Sequence, residues 1–113
     1  MKSISNKQKK INRKLKKVYQ LISEEREHCC SGCGRYDLPL SHSHLIPRSK
    51  RKDLECEGRN IVYHCLSIDG RTGCHQLWES SLNDKMRLLD YHKNMAYIKE
   101  VDSKYYYLLI NKN

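Results

Sequence analysis

The chain has 113 residues, with 22 Lys and Arg against 13 Asp and Glu, a formal charge of +9, 38% hydrophobic residues and no phenylalanine. That length allows one domain and that composition excludes a large apolar core. No window approaches the ~20 consecutive apolar residues of a membrane span, so the chain is expected in the cytoplasm with a polyanion, rather than a membrane, as its partner.

The charge is concentrated at the start. Lys2, Lys7, Lys9, Lys10, Arg13, Lys14, Lys16 and Lys17 precede the first acidic residue, Glu24. Among them Ile11, Leu15, Val18 and Ile22 recur at the spacing of one helical face, with Tyr19 beside it. The spacing predicts an amphipathic helix over residues ~7 to 26, frayed toward Met1, within a basic helical extension covering residues 1–27.

From His28 to Cys74 the texture changes to short segments rich in Cys, His, Gly and Ser. Six cysteines in so short a chain are either disulfide staples or metal ligands. The opening run MKSISNKQKKINRKLKK has no apolar stretch that would serve in a secretion signal, so metal ligation is expected. Cys30 and Cys33 form a C-x2-C knuckle, with Gly32 and Gly34 permitting its tight turn, and Cys65 and Cys74 make a wider pair. Together they supply four thiolates for a tetrahedral structural Zn²⁺, leaving Cys29 and Cys56 outside. Binding energy of that kind is folding energy where packing is scarce.

Between the pairs, "SHLI" before Pro47 and "NIVYHC" read as short strands, and Arg48, Lys50, Arg51 and Lys52 make a second basic cluster. After Gly73 a helical pattern resumes through Leu77, Leu82, Met86 and Leu89, with Asn83 and Asp84 placed to break it and cap a second helix. "YYYLLI" at 105–110 reads as a terminal strand. There is no internal repeat and no Gly/Ser linker, so residues 28–113 are expected to form one unit.

The order C-x2-C, "SHLIP", Asn60, Cys65, then "CH" at 74–75 resembles the HNH endonucleases of the ββα-metal type, over residues 30 to about 79. Asn60 stands five residues before Cys65, and His75 follows Cys74, as in zinc-bearing members of that family. The chain departs from the family pattern in two places. The second cysteine pair is lengthened by a loop carrying Gly70 and Gly73, expected to bulge outward and leave the pair intact. Ser43 stands where the family has an acid or a histidine, immediately before the base.

The resemblance implies an α+β fold, a small zinc-stabilised ββα-metal domain with the basic helix in front and a C-terminal helix and short strand behind. It implies an endonuclease that hydrolyses a phosphodiester of duplex DNA, one nick per active site. His44 would be the general base, Asn60 the residue holding the hairpin that orients it, and His75 a ligand of a catalytic divalent ion, Mg²⁺ or Mn²⁺ or another. Further ligands would be His42, with Ser43 or a water as the alternative, and Glu79, one helical turn after His75. Arg48, Lys50, Arg51, Lys52 and the basic residues of the first helix (Lys9, Lys10, Arg13, Lys14, Lys16 and Lys17) would hold the nucleic-acid backbone. The other reading is a zinc-stabilised nucleic-acid-binding module without chemistry. The family's small free-standing members are common in bacteriophage and mobile elements, so the resemblance also allows such an origin, and action as a homodimer or inside a packaging or recombination machine.

Overall fold

The computed structural model describes residues 5–111, so the expected fraying toward Met1 falls outside the described residues in part. The first helix, α1, spans Asn6–Glu25. Ser5 caps it by accepting a hydrogen bond from the Gln8 amide, which satisfies one of the unpaired N–H groups of a helix start. Leu15 and Ile22 are buried, with Val18 and Tyr19 half-buried beside them, against Ile61 and Tyr63. Burial of each aliphatic side chain stabilises the docked helix by about 1.5 to 3 kcal/mol. Beyond the helix Arg26 turns extended, and its guanidinium donates to the carbonyls of Ile61 (2.5 Å) and Gly58 (2.9 Å), pinning the end of α1 to the start of a strand.

Two strands, β1 (Leu40–His44) and β2 (Ile61–Cys65), pair antiparallel, with His42 opposite Tyr63 and His44 opposite Ile61. The 16 residues between them form no strand but carry two short 3₁₀ turns, Lys52–Leu54 and Gly58–Asn60. Four helices follow: α2 (Cys74–Trp78), α3 (Leu82–Lys85), α4 (Tyr91–Val101) and α5 (Ser103–Ile110). The main core gathers Leu45 and Ile46 after β1, Trp78 of α2, Leu88, and Met95, Tyr97 and Ile98 of α4. Three of the cysteines, Cys30, Cys65 and Cys74, belong to this same core. No helix among the described residues is long and apolar enough to cross a membrane.

Two expectations about the second half are corrected. "YYYLLI" is helix, not strand: Asp102 caps α5 by accepting from the Tyr105 amide at 2.9 Å. Tyr105, Tyr106, Leu109 and Ile110 lie against the core while Tyr107 and Leu108 are exposed, an i, i+1, i+4, i+5 face that strand alternation cannot produce. The expected break in the pattern after Leu77 and the second helix are present, but the break comes earlier, with Ser81 rather than Asn83 or Asp84 at the cap. Helix α3 is capped by the Ser81 hydroxyl, and Met86 and Leu89 point to solvent while Leu88 enters the core.

Candidate metal centre and histidine cleft

The knuckle at Cys30–Cys33 and the ends of the loop from Cys65 to Cys74 bring four sulfurs within 4.8 Å of one another, an arrangement that could hold a metal ion. Two backbone amides and one side chain already aim at them. The Cys65 amide donates to Cys30 Sγ at 3.2 Å, the Cys74 amide to Cys65 Sγ at 3.3 Å, and the Arg71 guanidinium to Cys65 Sγ at 3.4 Å. Burial works against a Cys65 thiolate, but these donors and the neighbouring sulfurs more than offset it and bring its pKa down to about 6. Cys74 moves the opposite way, pushed up by burial and by the sulfurs of Cys30 and Cys65. Three buried thiols and the half-buried Cys33, all within reach of one ion, fit a divalent cation, and the all-sulfur set is compatible with structural zinc. Cys29 and Cys56 stay outside the cluster.

The long loop keeps the sulfurs together by closing on itself. Ile68 and Arg71 exchange two backbone hydrogen bonds across Asp69 (φ 49°) and Gly70 (φ 77°), a two-residue turn with both central residues left-handed. Gly73 then returns the chain past the strand end. A Cβ there would lie 2.4 Å from the Cys65 carbonyl oxygen and 2.6 Å from the Ser67 nitrogen, both backbone atoms with no room to yield. Gly73→Ala is therefore expected to push two sulfur ligands apart. Competition with a colorimetric zinc chelator should show metal affinity at least ~10-fold weaker, in the range seen when the supports of metal ligands are lost; unchanged affinity would contradict the close approach.

His44 ends β1, and its Nε2 lies 2.8 Å from the Glu55 carbonyl oxygen. A carbonyl only accepts, so Nε2 carries the proton and Nδ1 the lone pair. Burial lowers the pKa of His44, which keeps the ring neutral near pH 7. The loop that supplies that carbonyl is tied by Asn60, which is fully buried. Its Oδ1 accepts from the Ile46 amide at 2.9 Å, and its Nδ2 donates to the carbonyls of Ile46 (3.1 Å) and Leu54 (3.3 Å). Glu55 is itself buried and its carboxylate pairs with Arg48.

His75 sits on α2. Its Nδ1 lies 2.8 Å from Ser41 Oγ, and that hydroxyl also donates to the His64 carbonyl at 2.9 Å. With its one proton so engaged, the hydroxyl accepts from Nδ1–H and leaves the lone pair on Nε2. Nε2 faces Glu79 Oε1 at 3.2 Å, two electron-rich atoms that need a cation or a proton between them. His44 and Glu79 line one cleft of about 200 Å³ together with Trp78, Lys85 and Tyr105.

His42 is elsewhere. Strand alternation puts it opposite Tyr63 on the face toward α1, where its ring stacks on Tyr19 at 4.0 Å, whereas Ser41 on the other face meets His75. Ser43 shares the face of Ser41, and its hydroxyl is buried without a hydrogen-bond partner. Among the described residues no second group of three or more His, Cys, Asp or Glu side chains converges as the cysteines do.

The basic residues fall into two groups. Lys9, Lys10, Arg13, Lys14, Lys16 and Lys17 are exposed along α1, and Lys50 and Lys52 are exposed on the loop. Arg51 is instead held by Asp53 (2.7 Å) and Asp102 (2.9 Å), so its charge is spent in fixing the loop to the start of α5. Two residues of the cleft had no signal in the sequence. Lys85 donates to the Ser80 carbonyl at 2.6 Å and lies 5.6 Å from the centre of the Trp78 ring, and Tyr105 reaches the cleft only because its segment is helical. His64 is an internal strut: fully buried, it meets Asp90 at 3.0 Å and joins β2 to the start of α4. No family model matches the chain, and no curated protein or solved structure matches it.

Proposed function

We propose that this protein is a metal-dependent DNA endonuclease of the HNH type, with zinc in the four-cysteine cluster. The observation that carries the reading is His44: a neutral imidazole whose proton is committed to the Glu55 carbonyl, leaving the Nδ1 lone pair free, on a residue that lines one cleft with Glu79. Its support is the right kind for a base, since Asn60 locks the loop that holds the ring. His75 and Glu79 present a nitrogen lone pair and a carboxylate to one another, a donor pair suited to Mg²⁺ or Mn²⁺ with waters filling the remaining positions. A divalent ion there would hold the scissile phosphate and offset the charge growing on the leaving 3′ oxygen.

In this mechanism His44 Nδ1 takes a proton from water as the water attacks phosphorus in line with the 3′ oxygen. The products are a 5′-phosphate and a 3′-hydroxyl. Arg48, anchored by buried Glu55, keeps part of its guanidinium exposed for a neighbouring phosphate. The exposed lysines of α1, together with Arg13, supply affinity that is blind to base sequence and falls with salt.

A binding module without chemistry is the second reading. What favours it is the pairing of His42 with Tyr19, away from His75, which leaves Ser43 on the α2 side with only a hydroxyl. Incubating supercoiled plasmid with the zinc-loaded protein and Mg²⁺ or Mn²⁺ decides between them. The parent is expected to produce nicked circles, and His44→Ala to be slower by about 10² to 10⁴. Equal gel shifts by both proteins with no cutting by either would leave the binding module.

A further inference from the structure

A second cleft, of about 400 Å³, lies between the end of α1, the start of β2 and α4. Arg26, Arg59, Lys93, Tyr97 and Glu100 line it, and Leu45 lines both this cleft and the one that holds His44. Three cationic side chains therefore face a single carboxylate. Glu100 pairs with Arg59 at 3.0 Å, and that guanidinium lies 5.1 Å from the centre of the Tyr97 ring. Among the described residues Arg26 is held only by two backbone carbonyls, which spend some of its N–H groups but none of its charge. Lys93 is exposed, and among the described residues no carboxylate pairs with it. Tyr97 is more than nine-tenths buried, and its hydroxyl has no hydrogen-bond partner.

Uncompensated guanidinium and ammonium groups beside an unused hydroxyl donor call for an anion with several acceptor oxygens. We propose that this cleft binds a phosphate group, with Arg26 and Lys93 supplying charge and the Tyr97 hydroxyl donating to an oxygen. Arg26 is already oriented by its two carbonyl partners, so little freedom is lost when the anion arrives. Leu45 is common to both clefts, which makes the backbone of a nucleic-acid strand passing His44 the favoured source, and a free phosphate compound the other. The site stands on this cleft alone and not on hydrolysis at His44.

The test is titration of inorganic phosphate into ¹⁵N-labelled, metal-loaded protein, with sodium chloride at matched ionic strength as control. Saturable shifts are expected at Arg59, Lys93 and Tyr97. Lys93→Ala should weaken phosphate binding about tenfold and Tyr97→Phe about threefold, the sizes expected for a charge-assisted and a single neutral donor. His44→Ala should bind phosphate as the parent does, which separates this site from the nuclease reading. A short duplex then identifies the source. If Lys93→Ala also lowers duplex affinity and reduces the salt slope by about one, the phosphate belongs to a strand; if duplex binding is unchanged, the ligand is a free phosphate compound. Equal shifts with chloride, or parental phosphate affinity in both Lys93→Ala and Tyr97→Phe, would overturn the proposal.

Discussion

Stripping the metal from Cys30, Cys33, Cys65 and Cys74 is expected to unfold the centre of the molecule, not merely loosen it. Cys30, Cys65 and Cys74 are part of the main core, and the same sulfurs link the knuckle, the end of β2 and the start of α2. Without a cation those three segments are joined by thiols that burial and mutual repulsion set against one another. Structural zinc in small domains contributes about 10 to 16 kcal/mol, as much as or more than the ~5 to 15 kcal/mol by which whole domains are stable. Metal analysis should give one ion per chain. Titration with a strong chelator should abolish the cooperative thermal transition and raise the number of reactive thiols from the two outside the cluster, Cys29 and Cys56, to all six. A chain that keeps its melting transition after full removal of the metal would show that the hydrophobic core is sufficient by itself.

Asn60→Ala is the second large effect. The substitution removes both ends of a three-bond staple and leaves the amide and carbonyl of Ile46 buried without their partner. Each unsatisfied buried group costs about 1 to 3 kcal/mol, so a loss of about 3 to 5 kcal/mol is expected in urea unfolding of the metal-loaded protein. The loop released is the one whose Glu55 carbonyl fixes the proton of His44. Asn60→Asp keeps the acceptor facing Ile46 but loses both donor bonds and buries a charge, so it should be no better than alanine. A loss below about 1 kcal/mol in either variant would mean the loop is held by other contacts, the Arg48–Glu55 pair first among them.

What the sequence made legible follows from local periodicity and spacing. Helix α1 could be read because Leu15 and Ile22 repeat on one face amid lysines, and its observed span, Asn6–Glu25, lies close to the expected one. Strand β2 and the four-cysteine set were legible for the same reason: a short apolar run ends at punctuating residues, and the gaps between sulfurs suit one ion; β1 was legible only in part, because it is Leu40–His44 and Leu45 and Ile46 of the expected "SHLI" leave it for the core. The C-terminal segment was not, because six consecutive apolar residues carry no period. Its conformation is decided by the Asp102 cap and by packing on α4. The side on which His42 stands depends on which helix each face of the hairpin meets. That is a tertiary choice, and Tyr19 on α1 makes it. Arg51 and Lys85 were equally opaque, since the first owes its role to Asp102 far along the chain and the second to the Trp78 ring and the Ser80 carbonyl.

The turn at Asp69 and Gly70 has a practical use. Its tip stands clear of neighbours, and nothing lies within 4 Å of a side chain built at Gly70. The strand-like rungs below it, rather than the tip, hold the sulfur-bearing ends in place. A fluorophore or affinity peptide grafted there would ride on a preformed stem and report on the protein without burdening its interior, giving this small scaffold a handle on residues that line neither cleft.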